Sequence, residues 1–164
     1  MRLWSTTGPL AIAGLLALTP AGSIAQSGAQ TADPPNPLKT VKALKCRFPS
    51  AVSGTWKNGE AVATPRTQEL LINVTEIDVS DGTAEVAGTA GKAFVSAVLS
   101  GWSLYFVENG VGQLNVTTVF AQESVPGKLK AVHSRHGYLQ MQVGKFIAEP
   151  SVSQNYGECE IVPS

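Results

Sequence analysis

A chain of 164 residues with 12 Lys and Arg against 12 Asp and Glu has no charge excess with which to hold nucleic acid or an acidic surface in bulk. Its length suits one domain, single cores of roughly 100 to 150 residues being the common size. Only two cysteines and two histidines are present, so at most one intrachain disulfide can form.

The chain opens "MRLWSTTGPLAIAGLLALTPAGSIAQS". One arginine, a short apolar run around Leu10 to Leu18 and a small-residue site ending at Ala25 form the order of a secretory signal. Thr19, Pro20 and Gly22 break the run before it reaches the roughly 20 apolar residues that a spanning helix needs. Residues 1–25 are therefore expected to be a cleaved signal peptide, with the mature protein secreted or periplasmic and carrying no membrane span. Cleavage would remove Arg2 alone among the charged groups, leaving 11 basic against 12 acidic side chains and a net charge of −1.

Residues 26–45 read as a flexible leader. "QSGAQTADPPNPL" is small, polar and proline-rich and cannot bury enough surface to offset its ordering entropy. "KTVKALKCR" follows, either a short helix or a first edge strand, with Lys39, Lys42, Lys45 and Arg47 as a solvated face.

From Cys46 to Ser164 the pattern is that of a single β domain. Short runs rich in Val, Ile, Thr and aromatics alternate with turn chemistry at "SDG" (80–82), "GTAG" (88–91), "SG" (100–101), "NGVG" (109–112), "VPGK" (125–128) and "HG" (136–137). Such signals recurring every 8 to 12 residues or so mark β-hairpins. Alternation assigns faces. "WSLYFVE" is expected to turn Trp102, Leu104 and Phe106 inward, and "QLNVTTVF" to turn Leu114, Val116, Thr118 and Phe120 inward. In "ELLINVTEIDV" the apolar phase passes from Leu70, Ile72 and Val74 to Ile77 and Val79. One inserted residue near Thr75 or Glu76, a β-bulge, accounts for the switch.

About eight to ten such strands form an antiparallel meander that must hide its edges. Short, even connections favour an up-and-down barrel; a β-sandwich is the alternative. Cys46 and Cys159 lie 113 positions apart near the two ends of the domain, so a bond between them would fasten the closure. An immunoglobulin-like sandwich places its inter-sheet cystine differently.

Gly54-Thr55-Trp56, early in this meander, resembles the G-x-W signature that opens the first strand of calycin barrels, the lipocalins and avidin-like proteins. The resemblance implies a barrel plugged at one end by Trp56, with an arginine from a late strand packed on it, for which Arg135 is the candidate. It is a likeness of shape and names no ligand.

"AVHSRHGYLQM" (131–141) holds both histidines. A three-residue turn at 136–138 would gather Leu129, Ala131, Leu139, Met141 and Val143 on one face, and hydrophobic sorting sets register. His133 and Arg135 are then expected to point inward, with His136 at the turn. Histidines at i and i+3 on a continuous strand face opposite ways. With no third ligand at a recognised spacing, no metal site is expected. "EPSVSQNYGECEIV" reads as a loop; pinned by the cystine, it would bring Tyr156 to the mouth. The two N-V-T sequons, Asn73 and Asn115, are glycosylation acceptors only in a host that modifies secreted proteins.

No G-x-S-x-G elbow, phosphate-binding glycine loop or basic-aromatic groove occurs, and no cofactor or nucleic-acid partner is implied. Three functions remain. The first is a binding module whose interior accepts a small apolar or amphipathic molecule in a cavity of about 300 Å³ or more, contacted by Trp56, Trp102, His133, Arg135 and Tyr156. The second is an enzyme with His133 as general acid or base, which needs a carboxylate within hydrogen-bond reach. The third is a structural or protein-interaction domain with a packed core.

Overall fold

The computed structural model describes residues 35–88, 91–142 and 146–163, with side chains followed to Tyr138 and again from Pro150. The signal segment 1–25, the first part of the leader and the centre of the "GTAG" turn lie outside the described residues. Eight strands follow one another in antiparallel order: β1 (Leu44–Lys57), β2 (Glu60–Asp78), β3 (Thr83–Gly88), β4 (Gly91–Ser100), β5 (Ser103–Gly110), β6 (Gln113–Val125), β7 (Lys128–Gln142) and β8 (Phe146–Ile161). Each pairs with the next, and β8 pairs with β1, so the sheet closes into a barrel. Closure satisfies both edge strands at once, which an open meander of this length cannot do.

The cystine lies on the closing seam. Cys46 and Cys159 face each other directly in the β1–β8 ladder, Cα atoms 4.0 Å apart, and both are fully buried. In the chain-entropy view a bond closing a loop of this length stabilises by roughly 4 to 5 kcal/mol.

Alternating side chains fill the lower half of the barrel. Leu44, Cys46 and Phe48 from β1, Ile72 and Val74 from β2, Leu104 and Phe106 from β5 and Val119 from β6 belong to one buried cluster. The outer face carries Lys45, Arg47, Glu69, Lys128, Glu158 and Glu160, with ion pairs such as Arg47–Glu69 (2.6 Å) and Lys128–Glu158 (2.7 Å). A membrane-spanning barrel has the reverse pattern, an apolar outside around a polar lumen. No helix among the described residues is long and apolar enough to cross a membrane.

Several expectations are corrected. The leader does not extend to residue 45: a single 3-10 turn, Pro37–Lys39, capped by the Asn36 side chain, brings Leu38 into the core, fully buried, and Val41 follows it. This segment closes the base of the barrel. Asn36 Nδ2 donates to Gly101 O (2.9 Å), Ile77 N to Lys42 O (3.1 Å) and Val162 N to Ala43 O (3.0 Å). Two buried aliphatic side chains outweigh the polar composition around them.

"HG" at 136–137 is not a turn. Strand β7 runs through it, pairing Gly137 with Gln113 on one side and Ser151 on the other. A Cβ at Gly137 would approach Gly112 O and the Gln113 side chain to 3.3 Å, so this glycine permits close passage of the β5–β6 turn, a strand role that glycine also fills. Likewise "EPSVSQNYGECEIV" is not a loop but most of β8, the strand that closes the barrel. The inward face of β6 is inverted: Thr117 and Val119 are buried and Leu114 is exposed. Cross-strand partners share a face, and β6 pairs Val119 with Leu104 and Thr117 with Phe106 of β5, whose apolar alternation is the less ambiguous of the two.

The bulge expected in β2 is present. The β2–β3 register shifts between Thr75 and Asp78, and Glu76 adopts a φ of 53°.

Candidate functional site

Three rows of inward-facing positions, each running across β5 to β8, grow more polar toward the upper end. The deepest is Leu104, Val119, Ala131 and Gly157. Above it lie Phe106, Thr117, His133 and Asn155, and above those Glu108, Asn115, Arg135 and Ser153. Strand tilt brings the apolar side chains of β2 to β4 round to face the upper rows.

The result is a cavity of about 210 Å³ in the open half of the barrel. Leu70, Ile72, Val86 and Ala93 form one wall; Glu108, Asn115, His133 and Arg135 form the other. Below it the barrel is packed with side chains. The volume is smaller than the 300 Å³ expected of a ligand pocket and below the usual range for drug-sized molecules.

His133 is the floor of the polar wall. Its Nδ1 and the buried Thr117 hydroxyl share a hydrogen bond of 2.9 Å, Asn155 Nδ2 donates to its carbonyl at 3.2 Å, and its ring lies 6.0 Å from that of Phe48. Burial pushes the imidazole below its ordinary pKa; Glu108 opposes the shift and Arg135 adds to it. Burial thereby favours the neutral ring. Its hydrogen bond goes to a hydroxyl rather than a carboxylate, so the orienting acid required for acid–base work is not the group that holds it.

Glu108 Oε2 accepts from Asn115 Nδ2 at 2.9 Å, while Asn115 Oδ1 is buried with no partner among the described residues. Arg135 Nη2 donates to Gln113 Oε1 at 3.1 Å. Among the described residues neither Glu108 nor Arg135 is part of an ion pair.

Of the five residues expected at the site, the structure brings together His133 and Arg135 only. Trp56 is 54% exposed and pairs with Ala61 on the β1–β2 hairpin, above the last β1–β8 pair at Gly54 and Val152. It plugs neither end of the barrel, and Arg135 faces the cavity instead. Trp102 lies in the β4–β5 turn at the base, 47% exposed, where its carbonyl accepts from Ala121 N. Tyr156 is on the outer face of β8 with its hydroxyl donating to Gln154. His136 is exposed on the outer side of β7, so the two imidazoles face opposite ways, as their spacing requires. Asn73 is exposed, whereas Asn115 points inward, so its sequon is closed to modification once the barrel has formed.

Two residues of the polar wall, Glu108 and Asn115, were not among the five expected binding residues. Glu108 follows Leu104 and Phe106 at the same period, so extending that alternation by one step finds it. Asn115 was hidden by the inverted phase of β6.

Comparison with family models, curated proteins and solved structures finds no match for this chain.

Proposed function

We propose that the protein is an exported binding module whose barrel mouth takes a small amphipathic molecule. The apolar part of the ligand lies against Leu70, Ile72, Val86 and Ala93, and its polar group meets Glu108, Asn115, His133 and Arg135. The observation that carries this reading is the division of one cavity into an apolar and a polar wall, above a buried apolar core. A few placed polar groups opposite an apolar surface are what orient a small ligand. The signal-like N-terminus and the buried cystine support export, and the closed eight-stranded barrel supports calycin-type architecture with a ligand site that does not use Trp56.

The test is an amide NMR titration with 4-methylpentan-1-ol, which carries one branched apolar end and one hydroxyl. Shifts are expected at Ile72, Val86, Ala93 and His133, and Ala93→Phe, which fills the cavity, should abolish them. Shifts confined to the outer face, or persistence of binding in the filled variant, would remove the reading.

A further inference from the structure

The polar wall carries two opposite charges held apart. Glu108, Asn115 and Arg135 are successive cross-strand neighbours on β5, β6 and β7. Strands in a sheet lie about 4.8 Å apart, so the Cα atoms of the two charged residues are roughly 10 Å apart with Asn115 between them. Glu108 uses one carboxylate oxygen on Asn115, and Arg135 uses one of its five donors on Gln113. Both retain hydrogen-bonding capacity toward the cavity that they line. The acceptor Oδ1 of Asn115, also in this row, has no partner among the described residues.

A ligand with a single charge meets repulsion in this arrangement. An anion drawn to Arg135 is opposed by Glu108, and a cation drawn to Glu108 is opposed by Arg135. A molecule bearing both charges a few bonds apart satisfies both, with its ammonium donating to Glu108 and its carboxylate accepting from Arg135. The opposite wall of Leu70, Ile72, Val86 and Ala93 suits an aliphatic substituent, and Lys92, which also borders the cavity, is paired with Glu85 at 2.7 Å. From this juxtaposition we infer that the ligand is a small zwitterion with an aliphatic side chain, of the class of the branched aliphatic amino acids. The inference rests on the mouth being a binding site and specifies what it selects.

The experiment compares leucine with its two singly charged analogues, 4-methylpentanoate and 3-methylbutylamine, by calorimetric and NMR titration of the purified, disulfide-bonded protein. Leucine is expected to bind at least about tenfold more tightly than either analogue, since a hydrogen bond to a charged group is commonly worth a factor of roughly 10 to 100. Glu108→Gln should reduce leucine to the level of 4-methylpentanoate and leave that acid no weaker. Arg135→Gln should weaken leucine and 4-methylpentanoate together, while Lys130→Gln on the outer face changes neither. Leucine binding no tighter than both analogues, or unchanged in Glu108→Gln, overturns the zwitterion. If 4-methylpentan-1-ol still binds in that case, the mouth remains a binding site of different selectivity; if nothing binds, both readings fall.

Discussion

His133 joins the packed core to the polar mouth, and its protonation is coupled to folding. Burial lowers its pKa in the folded protein, whereas in the unfolded chain the imidazole titrates near its ordinary value of about 6.5. Between the lowered and the ordinary value, the unfolded chain binds a proton that the folded one does not. Stability is therefore full above about pH 6.5 and falls with acidification until the folded-state pKa is passed. Asp78 and Glu158, held low by hydrogen bonds from Ser80 and Lys128 respectively, act in the same direction but at lower pH. Their contribution is lost only as pH falls through the carboxylate region, so the two windows separate. His133→Gln keeps a hydrogen-bonding group for Thr117 and removes the titration. Urea unfolding at about pH 8, 6.5 and 5 should show a declining midpoint in the parent and a flat one in the variant; parallel slopes would show that His133 is not the linked group. The inward direction of His133 and Arg135 agrees with the buried Leu129 and Ala131 at the same parity, but the turn expected at 136–138, on which that reading rests, does not exist, since β7 continues through it. Trp56, Trp102 and Tyr156 were not placed correctly, because residue type suggests contact with a ligand while location in a hairpin, a turn or an outer face decides it.

Among the elements, the β1–β8 seam is the least tolerant of change. β1 carries a register irregularity between Phe48 and Ser50 on its β2 side and between Arg47 and Ser50 on its β8 side, and there its backbone swings across Gly157. A Cβ on that residue would overlap the carbonyl oxygen of Arg47 and come within 2.7 Å of Phe48 Cα. The obstructing atoms are backbone, so no rotamer change relieves them. Gly157→Ala is expected to cost about 3 kcal/mol, the upper part of the range for overpacking, because relief requires moving two paired strands. Gly54→Ala, whose added Cβ would meet Val152 at an ordinary 3.7 Å, is the matched control with little loss. Denaturant midpoints of the two disulfide-bonded variants decide the matter, and equal stability would mean that β1 can give way. The barrel, its closing cystine and the β2 bulge could be read from turn spacing, cysteine position and a change of apolar phase. The long β7 and β8 could not. Glycine at 137 and 157 resembles a turn signal, yet at both positions it admits a neighbouring backbone, and only the paired partner distinguishes the two uses. The phase of β6 was ambiguous for a related reason: "LNVTTVF" has apolar or β-branched residues at both parities, and β5 decides between them.

At the scale of the whole molecule, the described residues close the barrel below and leave a cavity in its upper half. The lower end is sealed by chain that composition assigns to a leader. Leu38, Val41 and Leu44 are all buried in the main cluster, and burying a side chain of this kind stabilises by roughly 1.5 to 3 kcal/mol. Together the three approach the net stability of a typical domain, about 5 to 15 kcal/mol. A chain beginning at Cys46 would lose them all and open the buried cluster they belong to, although every strand but the first would be complete. A chain beginning at Pro34 keeps all three, together with the Asn36 cap and its bond to the β4–β5 turn. The chain from Pro34 is therefore expected to unfold in urea at the midpoint of the full-length protein, as one cooperative transition. The chain from Cys46 should have lost most of its stability even with the cystine formed, and Leu38→Ala within the longer chain should fall between them, at a cost of about 2 to 5 kcal/mol. Equal midpoints for the chains from Pro34 and Cys46 would mean that the base segment only decorates the barrel. A graded loss would establish that the floor beneath the cavity is built in part from residues that precede the first strand.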